Sequence, residues 1–211
     1  ELEAEDGDAG AIPRTVARGA ETALDAGELE TAERLATRAL EASPDTATEL
    51  QAQKVLADLS WIKVNRGTED MANLLAAAGD NEDLTTARDR LLSLEAHNDP
   101  STFSRLAQVE ALRGQPAAAA EWQRRERETL PAGSGAEAGA RVNLATLLGA
   151  AGQWNEALEE NALLLADFEA QYGPSDKRLL PVLGQRLELL EGAGQKKEAK
   201  KVRKRMKKLS R

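Results

Sequence analysis

Residues 143–158 read NLATLLGAAGQWNEAL and contain the step that decides the fold, in which four residues separate Gly152 from Ala157. The same spacing recurs three more times along the chain, at Gly27 and Ala32, Gly114 and Ala119, and Gly194 and Ala199. A glycine can adopt the left-handed backbone conformation that ends a helix, and an alanine lets a second helix approach the first closely. Each occurrence therefore predicts the turn of a helical hairpin.

Proline and apolar residues support the same hairpins. A proline follows the glycine at one fixed distance in two of the four units, as Pro44 after Gly27 and Pro131 after Gly114. Because proline cannot continue a helix, it marks the end of the second helix of each pair. An apolar residue precedes the glycine at another fixed distance, as Val16, Phe103 and Leu183.

The remaining sequence is also helical in character. Apolar residues recur with helical periodicity from about residue 14 onward, Gly or Pro interrupts them at short intervals, and no segment alternates like a strand. A composition of 41% hydrophobic, 30% charged and 3% aromatic residues is typical of a helix-rich chain. We predict helices near 14–26, 28–42, 46–66, 68–79, 83–97, 101–113, 116–129, 137–151, 154–171, 176–193 and 195–209.

The hairpin signature resembles that of the tetratricopeptide repeat (TPR) family, a helix–turn–helix unit of about 34 residues. The best match is Phe103-x2-Leu106-Ala107 followed by Gly114, Ala119 and Pro131. A second unit contains Asn143-Leu144-Ala145, Gly152-Gln-Trp154 and Ala157-Leu158, and leads into Tyr172-Gly173-Pro174. This second unit is similar to the longer repeats of kinesin light chains. The resemblance implies an all-α, right-handed superhelical solenoid of about 10–11 helices in antiparallel hairpins.

The resemblance also predicts how the chain is divided. Residues 1–12 are acidic and lack periodicity, which is typical of a disordered leader, and 13–211 are expected to form one helical-repeat domain. The weakest repeat signature is Met71-x2-Leu74-Leu75 with Ala87. Helix 46–66 fits no hairpin: either it is an insertion, or it pairs with 68–79 and leaves 83–97 unpaired. The predicted repeat units lie near 13–44, 68–99, 100–131, 138–171 and 180–211.

The residue inventory argues against catalysis and predicts no cofactor or metal. Cysteine is absent and His97 is the single histidine, which removes thiol nucleophiles and Cys/His metal sites. His97 ends a predicted helix, where an imidazolium suits the negative end of the dipole. The loop with Gly133, Gly135 and Gly139 lacks a preceding strand and a following Lys, so it is interpreted as a linker. The sequence therefore predicts a protein that is not an enzyme.

Charge is concentrated at one end of the chain. Residues 195–211 contain ten Lys and Arg against one Glu, a net charge of +9, so the remaining residues carry −17 of the total of −8. This acidic body argues against a nucleic-acid partner. In the terminal helix Ala199, Val202, Met206 and Leu209 form one apolar stripe, which favours a capping helix with solvated cations. The cations that could instead contact a membrane, an acidic partner or nucleic acid are Lys200, Lys201, Arg203, Lys204, Arg205, Lys207 and Lys208.

The sequence predicts a soluble protein, because no apolar stretch approaches the roughly 18 residues of a membrane span. Its compartment stays open between the cytoplasm and, if a signal peptide has been removed, export. Contact with a membrane is expected only through the basic terminal helix. The oligomeric state is likewise open.

The TPR resemblance implies that the first helix of each pair lines a concave wall that binds another protein or a peptide. Asn143 is the first candidate, because an asparagine before this Leu-Ala often bonds a peptide backbone in related proteins. Trp61, beside Leu59 and Ile62, would be a partner-binding residue if its face is exposed. The wall-facing residues predicted on this basis are Arg105, Gln108, Asn143, Thr146, Gln185 and Glu188.

Three functions are compatible with these features. The first is a non-catalytic scaffold or adaptor within a multiprotein assembly. The second is a regulatory peptide-binding sensor whose curvature changes on binding. The third is a peripheral membrane or nucleic-acid binder that acts through the basic terminal helix.

Overall fold

A computed structural model describes residues 11–42, 46–64, 70–79 and 82–210, and helices connected by short turns make up most of this part of the chain. Two 3₁₀ turns, Glu95–His97 and Lys177–Leu179, accompany them. The α-helices are α1 (Ala11–Asp25), α2 (Leu29–Glu41), α3 (Thr46–Val64), α4 (Met71–Ala76), α5 (Glu82–Leu92), α6 (Pro100–Leu112), α7 (Pro116–Thr129), α8 (Gly135–Ala150), α9 (Trp154–Tyr172), α10 (Leu180–Gly192) and α11 (Lys196–Leu209).

The glycine-to-alanine steps form the hairpin turns that the sequence predicts. Gly27, Gly114, Gly152 and Gly194 all have positive φ angles, between 70° and 76°. In each turn the residue after the glycine donates its backbone N–H to a carbonyl five residues earlier, as Gln153 does to Leu148 at 2.8 Å. This is the Schellman arrangement that satisfies the last carbonyls of a helix. The alanine of each step is buried, as the close approach of two helices requires.

Two predictions fall partly outside the described residues. Pro44 lies outside them, and so do residues 1–10 of the predicted leader. Ala11 and Ile12, which were also assigned to the leader, begin α1. The predicted boundary of the leader at residue 12 therefore falls inside α1.

The chain forms two compact units, of which the first, within residues 1–66 and 81–98, contains α1, α2, α3 and α5. Its core consists mainly of alanines, which allow a close approach of the helix backbones. The larger buried residues come from α3, where they include Val55, Leu56 and Leu59, and from α5, where they include Leu84 and Leu91. The buried alanines are Ala17, Ala20, Ala23, Ala32, Ala36, Ala39 and Ala52.

The second unit, within residues 67–80 and 99–211, contains α4 and α6 to α11. Its hairpins pair α6 with α7, α8 with α9 and α10 with α11. Large aliphatic residues fill this unit, and Leu106, Leu144, Leu164 and Leu183 are among the fully buried ones. That residues 13–211 form a single repeat domain stays a prediction.

The pairing around α3 corrects the predicted repeat at 68–99. The sequence placed 68–79 and 83–97 in one hairpin, but α5 packs against α3, and α4 packs against α6 and α8. Arg90 of α5 donates to the Leu56 carbonyl at 3.2 Å and to Ser60 Oγ at 2.7 Å. Apolar residues surround α3 on most sides, so it packs against α1, α2 and α5 together. Helix α3 therefore has a hairpin partner, and α4 occupies the sequence between the two.

Candidate protein-binding surface

The first helices of the three hairpins in the second unit, α6, α8 and α10, carry the predicted wall residues. Of these residues, Asn143 on α8 is half-buried and Glu188 on α10 is exposed. Neither side chain has a hydrogen bond or ion pair within the described ranges 11–42, 46–64, 70–79 and 82–210. A half-buried amide without a partner has both donors and an acceptor available to a bound segment.

A groove of about 400 Å³ lies between the 133–135 loop, α8 and the end of α9, and on α8 its lining ends at Val142, one residue before Asn143. Its apolar lining includes Val142, which directly precedes Asn143 and is 39% exposed. Leu164, Phe168 and Tyr172 of α9 line it as well. An apolar groove suits the apolar side chain of a bound peptide, and an amide on the same helix without a partner among the described residues suits its backbone.

The charged residues that line this groove are both acidic, Glu137 and Asp167. Glu137 is buried, but Arg141 neutralises it through a 2.5 Å contact between Nε and Oε1. Asp167, which also lines the groove, is exposed and makes no ion pair with any residue that the structure describes. The groove therefore favours an apolar anchor with a basic residue nearby.

A second set of contacts holds the aromatic rim of the groove. Phe168 and Tyr172 meet edge to face with ring centroids 5.6 Å apart, and the Arg178 guanidinium lies 3.8 Å from the Tyr172 centroid. Arg178 donates to both carboxylate oxygens of Asp176, at 2.9 and 2.8 Å. These bonds lower the pKa of Asp176 to about 2. Arg178 and Asp176 were not among the predicted site residues, and the one sequence signal near them was Tyr172-Gly173-Pro174.

Thr146 and Gln185 join helices rather than facing solvent freely. Gln185 Nε2 donates to the Val142 carbonyl at 2.8 Å and to Thr146 Oγ1 at 3.0 Å, which connects α10 to α8. Thr146 in turn donates to the Val142 carbonyl at 3.0 Å. Both predicted wall residues therefore fix the position of α8 relative to α10.

This connection continues into a buried asparagine on α9. Asn161, which is fully buried, donates through Nδ2 to the Val182 carbonyl at 3.1 Å and to Gln185 Oε1 at 3.0 Å. Its Oδ1 accepts from Arg186 Nη1 at 3.2 Å, and the same nitrogen donates to the Leu158 carbonyl at 3.3 Å. Both polar atoms of the Asn161 side chain therefore have hydrogen-bond partners. Through Gln185 the network also positions α8, the helix that carries Asn143.

On α6 the predicted wall residues are less accessible. Gln108 is 7% exposed, and its Nε2 donates to Ser104 Oγ at 3.5 Å, so its assignment to an open wall is wrong. Its Oε1 and that of Gln123 lack a partner among the described residues. Arg105 is half-buried, and burial lowers the pKa of its guanidinium. Burial likewise raises the pKa of Glu126 on the facing helix α7.

The three tryptophans lie in or against the helix packing. Trp61 is 7% exposed, so the condition on its predicted partner-binding role is not met; the exposed residue of that segment is Ile62. Trp122 stacks on Phe103 at a centroid distance of 6.0 Å. Trp154 is half-buried and packs so closely that a Cβ added at Gly192 would lie 2.5 Å from its ring. These residues stabilise the repeats.

Helix α11 presents a basic outer surface. Its apolar stripe packs inward, where Leu209 joins Leu179 and Leu183, with Val202 and Met206 at the edge. Three of its cations form ion pairs: Lys201 with Glu198, Arg203 with Glu191 and Arg205 with Glu169. The exposed lysines that make no ion pair with any described residue are Lys196, Lys197, Lys200, Lys204, Lys207 and Lys208. The basic helix thus combines a docked face with a charged, accessible one.

The described ranges contain neither a metal-binding cluster nor a membrane-spanning helix. Three or more His, Asp or Glu side chains do not come together there in a way that could hold a metal ion. Within the same ranges, every helix is too short or too polar to cross a bilayer.

Comparison with known proteins identifies the fold. Neither a protein-family model nor a curated protein matches the sequence. Among solved structures, a putative kinesin light chain from Podosopora anserina with nearly identical TPR-like repeats is 17% identical, with 97% of each chain covered and a TM-score of 0.57. A second structure of that protein, carrying a single substitution, matches at the same identity and TM-score with 96% of each chain covered. The MamA protein is 15% identical over 95% of this chain and 92% of its own, with a TM-score of 0.60.

The predicted fold class and the resemblance are confirmed: the chain has an all-α, TPR-like helical-repeat fold. Stacked helical hairpins serve in general as scaffolds for protein–protein interaction.

Proposed function

We propose that this protein is a non-catalytic interaction module that binds a peptide segment of another protein on α8 of the second unit. In this role it would act as an adaptor within a multiprotein assembly. The observation that carries the proposal is the half-buried amide of Asn143, which has no partner among the described residues and directly follows Val142 of the apolar groove. The amide would bond the peptide backbone, and the groove would take an apolar side chain.

The residues that line the groove indicate which kind of peptide would bind there. Val142, Phe168 and Tyr172 offer apolar surface, and Asp167, whose carboxylate has no ion pair within the described part of the chain, lies at the same groove. A segment with an apolar residue next to a Lys or Arg matches both features. The network from Gln185 to Asn161 holds α8 in place, so binding requires little rearrangement of the wall.

The substitution Asn143→Ala tests this function. Peptides selected from a random library on the immobilised full chain supply a consensus ligand, whose affinity is measured by fluorescence anisotropy. Asn143→Ala is expected to weaken binding about fivefold to tenfold, because one hydrogen bond contributes about 1 kcal/mol. The matched control Asn155→Ala, at an exposed position of α9, should bind like the unmodified protein. Equal affinity of Asn143→Ala and the control would contradict the proposal.

A second candidate function rests on the six lysines of α11 that lack ion pairs among the described residues. We propose contact with an anionic lipid surface as this alternative, because the exposed face is basic while the apolar stripe is used for packing. Binding to phosphatidylserine vesicles is expected to fall at least about tenfold when salt rises from about 50 to about 200 mM. Peptide binding in the groove should change little over the same range. Salt-independent vesicle binding would count against the alternative.

A further inference from the structure

Helix α4 lies against two of the first helices, α6 and α8. Its residues Met71 and Leu74 are 2% and 0% exposed, while Ala72, Asn73 and Ala76 are exposed. Positions i and i+3 lie on one face of a helix, so α4 is a small amphipathic helix with two apolar anchors.

Hydrogen bonds fix both ends of the segment that contains α4, residues 70–79. At the N-terminus, the Asp70 carboxylate accepts from the Asn73 backbone N–H at 3.0 Å and caps the helix. At the other end, the Gly79 N–H donates to the carbonyl of Leu112, the last residue of α6, at 2.7 Å. Ala78 lies beside Gly114, where an added Cβ would be 3.7 Å from that of Ala78. Residues 70–79 therefore form one segment that is docked against the C-terminal end of α6.

The helical form of α4 depends on this docking. A helix of six residues has almost no stability in water, because nucleation is unfavourable and too few hydrogen bonds follow it. The segment is inserted between α3 and α5, which pair with each other without it. Its fold is thus determined by the surface of α6 and α8, as that of a bound peptide would be.

We infer that the surface of α6 and α8 beneath α4 is a docking site for an amphipathic helix of another protein, and that α4 is the internal occupant which this partner displaces. The partner carries an Asp, Asn, Ser or Thr cap followed by apolar residues at positions i and i+3, since Asp70, Met71 and Leu74 show what the site accepts. This inference goes beyond the proposed function, because the docking site on α6 and α8 lies under α4, whereas the groove is lined by the 133–135 loop, α8 and α9.

An internal occupant sets the apparent affinity for the partner. The measured dissociation constant equals the intrinsic one divided by the fraction of molecules in which α4 is undocked. Loss of the two anchors should therefore expose the site and strengthen binding in trans.

The test uses a labelled synthetic peptide of residues 70–79, DMANLLAAAG, and the full chain. The variant Met71→Asp/Leu74→Asp is expected to bind this peptide at least about tenfold more tightly than the unmodified protein. The control Ala72→Asp/Ala76→Asp, on the exposed face of α4, should bind it as weakly as the unmodified protein. A peptide with the two anchor substitutions should not bind. Equal binding by the anchor variant and the unmodified protein, at equal helix content by circular dichroism, would overturn the inference.

A disulfide provides a second measurement if the anchor variant loses helix content. The chain has no cysteine, and the Cβ separation at Ala78 and Gly114 fits a disulfide. Ala78→Cys/Gly114→Cys should bind the peptide at least about tenfold more weakly when oxidised than when reduced. Gly114→Cys alone controls for backbone strain at the positive φ. Equal binding in both redox states would overturn the inference. The peptide comes from this chain, so failure here is distinct from failure of the proposed function.

Discussion

The substitution Phe103→Ala is expected to lower the free energy of unfolding by about 4 kcal/mol. Phe103 is fully buried on α6 and stacks on Trp122 of α7, and the Arg125 guanidinium lies 4.4 Å from its ring centroid. Removal of the ring leaves a cavity between two helices and deprives both neighbours of their contact surface.

Urea unfolding followed by circular dichroism measures this effect. Leu163→Ala is the matched control, because Leu163 lies on α9 and is 53% exposed. The control should change the free energy of unfolding by less than about 1 kcal/mol. A loss at Phe103 no larger than that at Leu163 would show that α6 and α7 are not packed as described.

Asn161→Leu should lower the free energy of unfolding by about 3 kcal/mol, although leucine is apolar and of similar size. The substitution removes the Asn161 donor from the Val182 carbonyl and from Gln185 Oε1, and the Asn161 acceptor from the Arg186 guanidinium. Buried polar groups without partners cost more than the new apolar contacts contribute. The same urea measurement tests this prediction.

Asn155→Leu is the control for that substitution, since Asn155 is an exposed residue of the same helix. A surface change of this kind should stay within about 0.5 kcal/mol. If the two variants unfold at the same urea concentration, Asn161 does not connect α9 to α10, and the positioning of α8 needs another explanation.

Local features of the fold were predictable from the sequence. The positive φ of Gly27, Gly114, Gly152 and Gly194 follows from a residue type that tolerates this conformation, and the turn needs only neighbouring residues. The partner of α3 was not predictable in this way. Helix α3 has no glycine step, its buried residues lie around most of its circumference, and α4 separates it in sequence from α5. Periodicity that does not favour one face cannot identify a partner helix.

In the candidate site, too, some residues had a local sequence signal and others had none. The TPR resemblance identified Asn143, and its amide is half-buried without a partner among the described residues. Gln185 and Thr146 have the same polar character, but they bond to each other across two helices. Asn161 looks like an ordinary polar residue of a helix, because its partners lie more than twenty residues away in sequence. Side-chain pairs at such separations carry no local signal.

Amide hydrogen exchange of the full chain, with and without the library-selected peptide, tests most directly whether the second unit binds its partner on α8. We expect slower exchange in α8 around Asn143 when the peptide is bound. Slower exchange confined to α11, with α8 unchanged, would contradict the claim that the first helices of the second unit bind the partner.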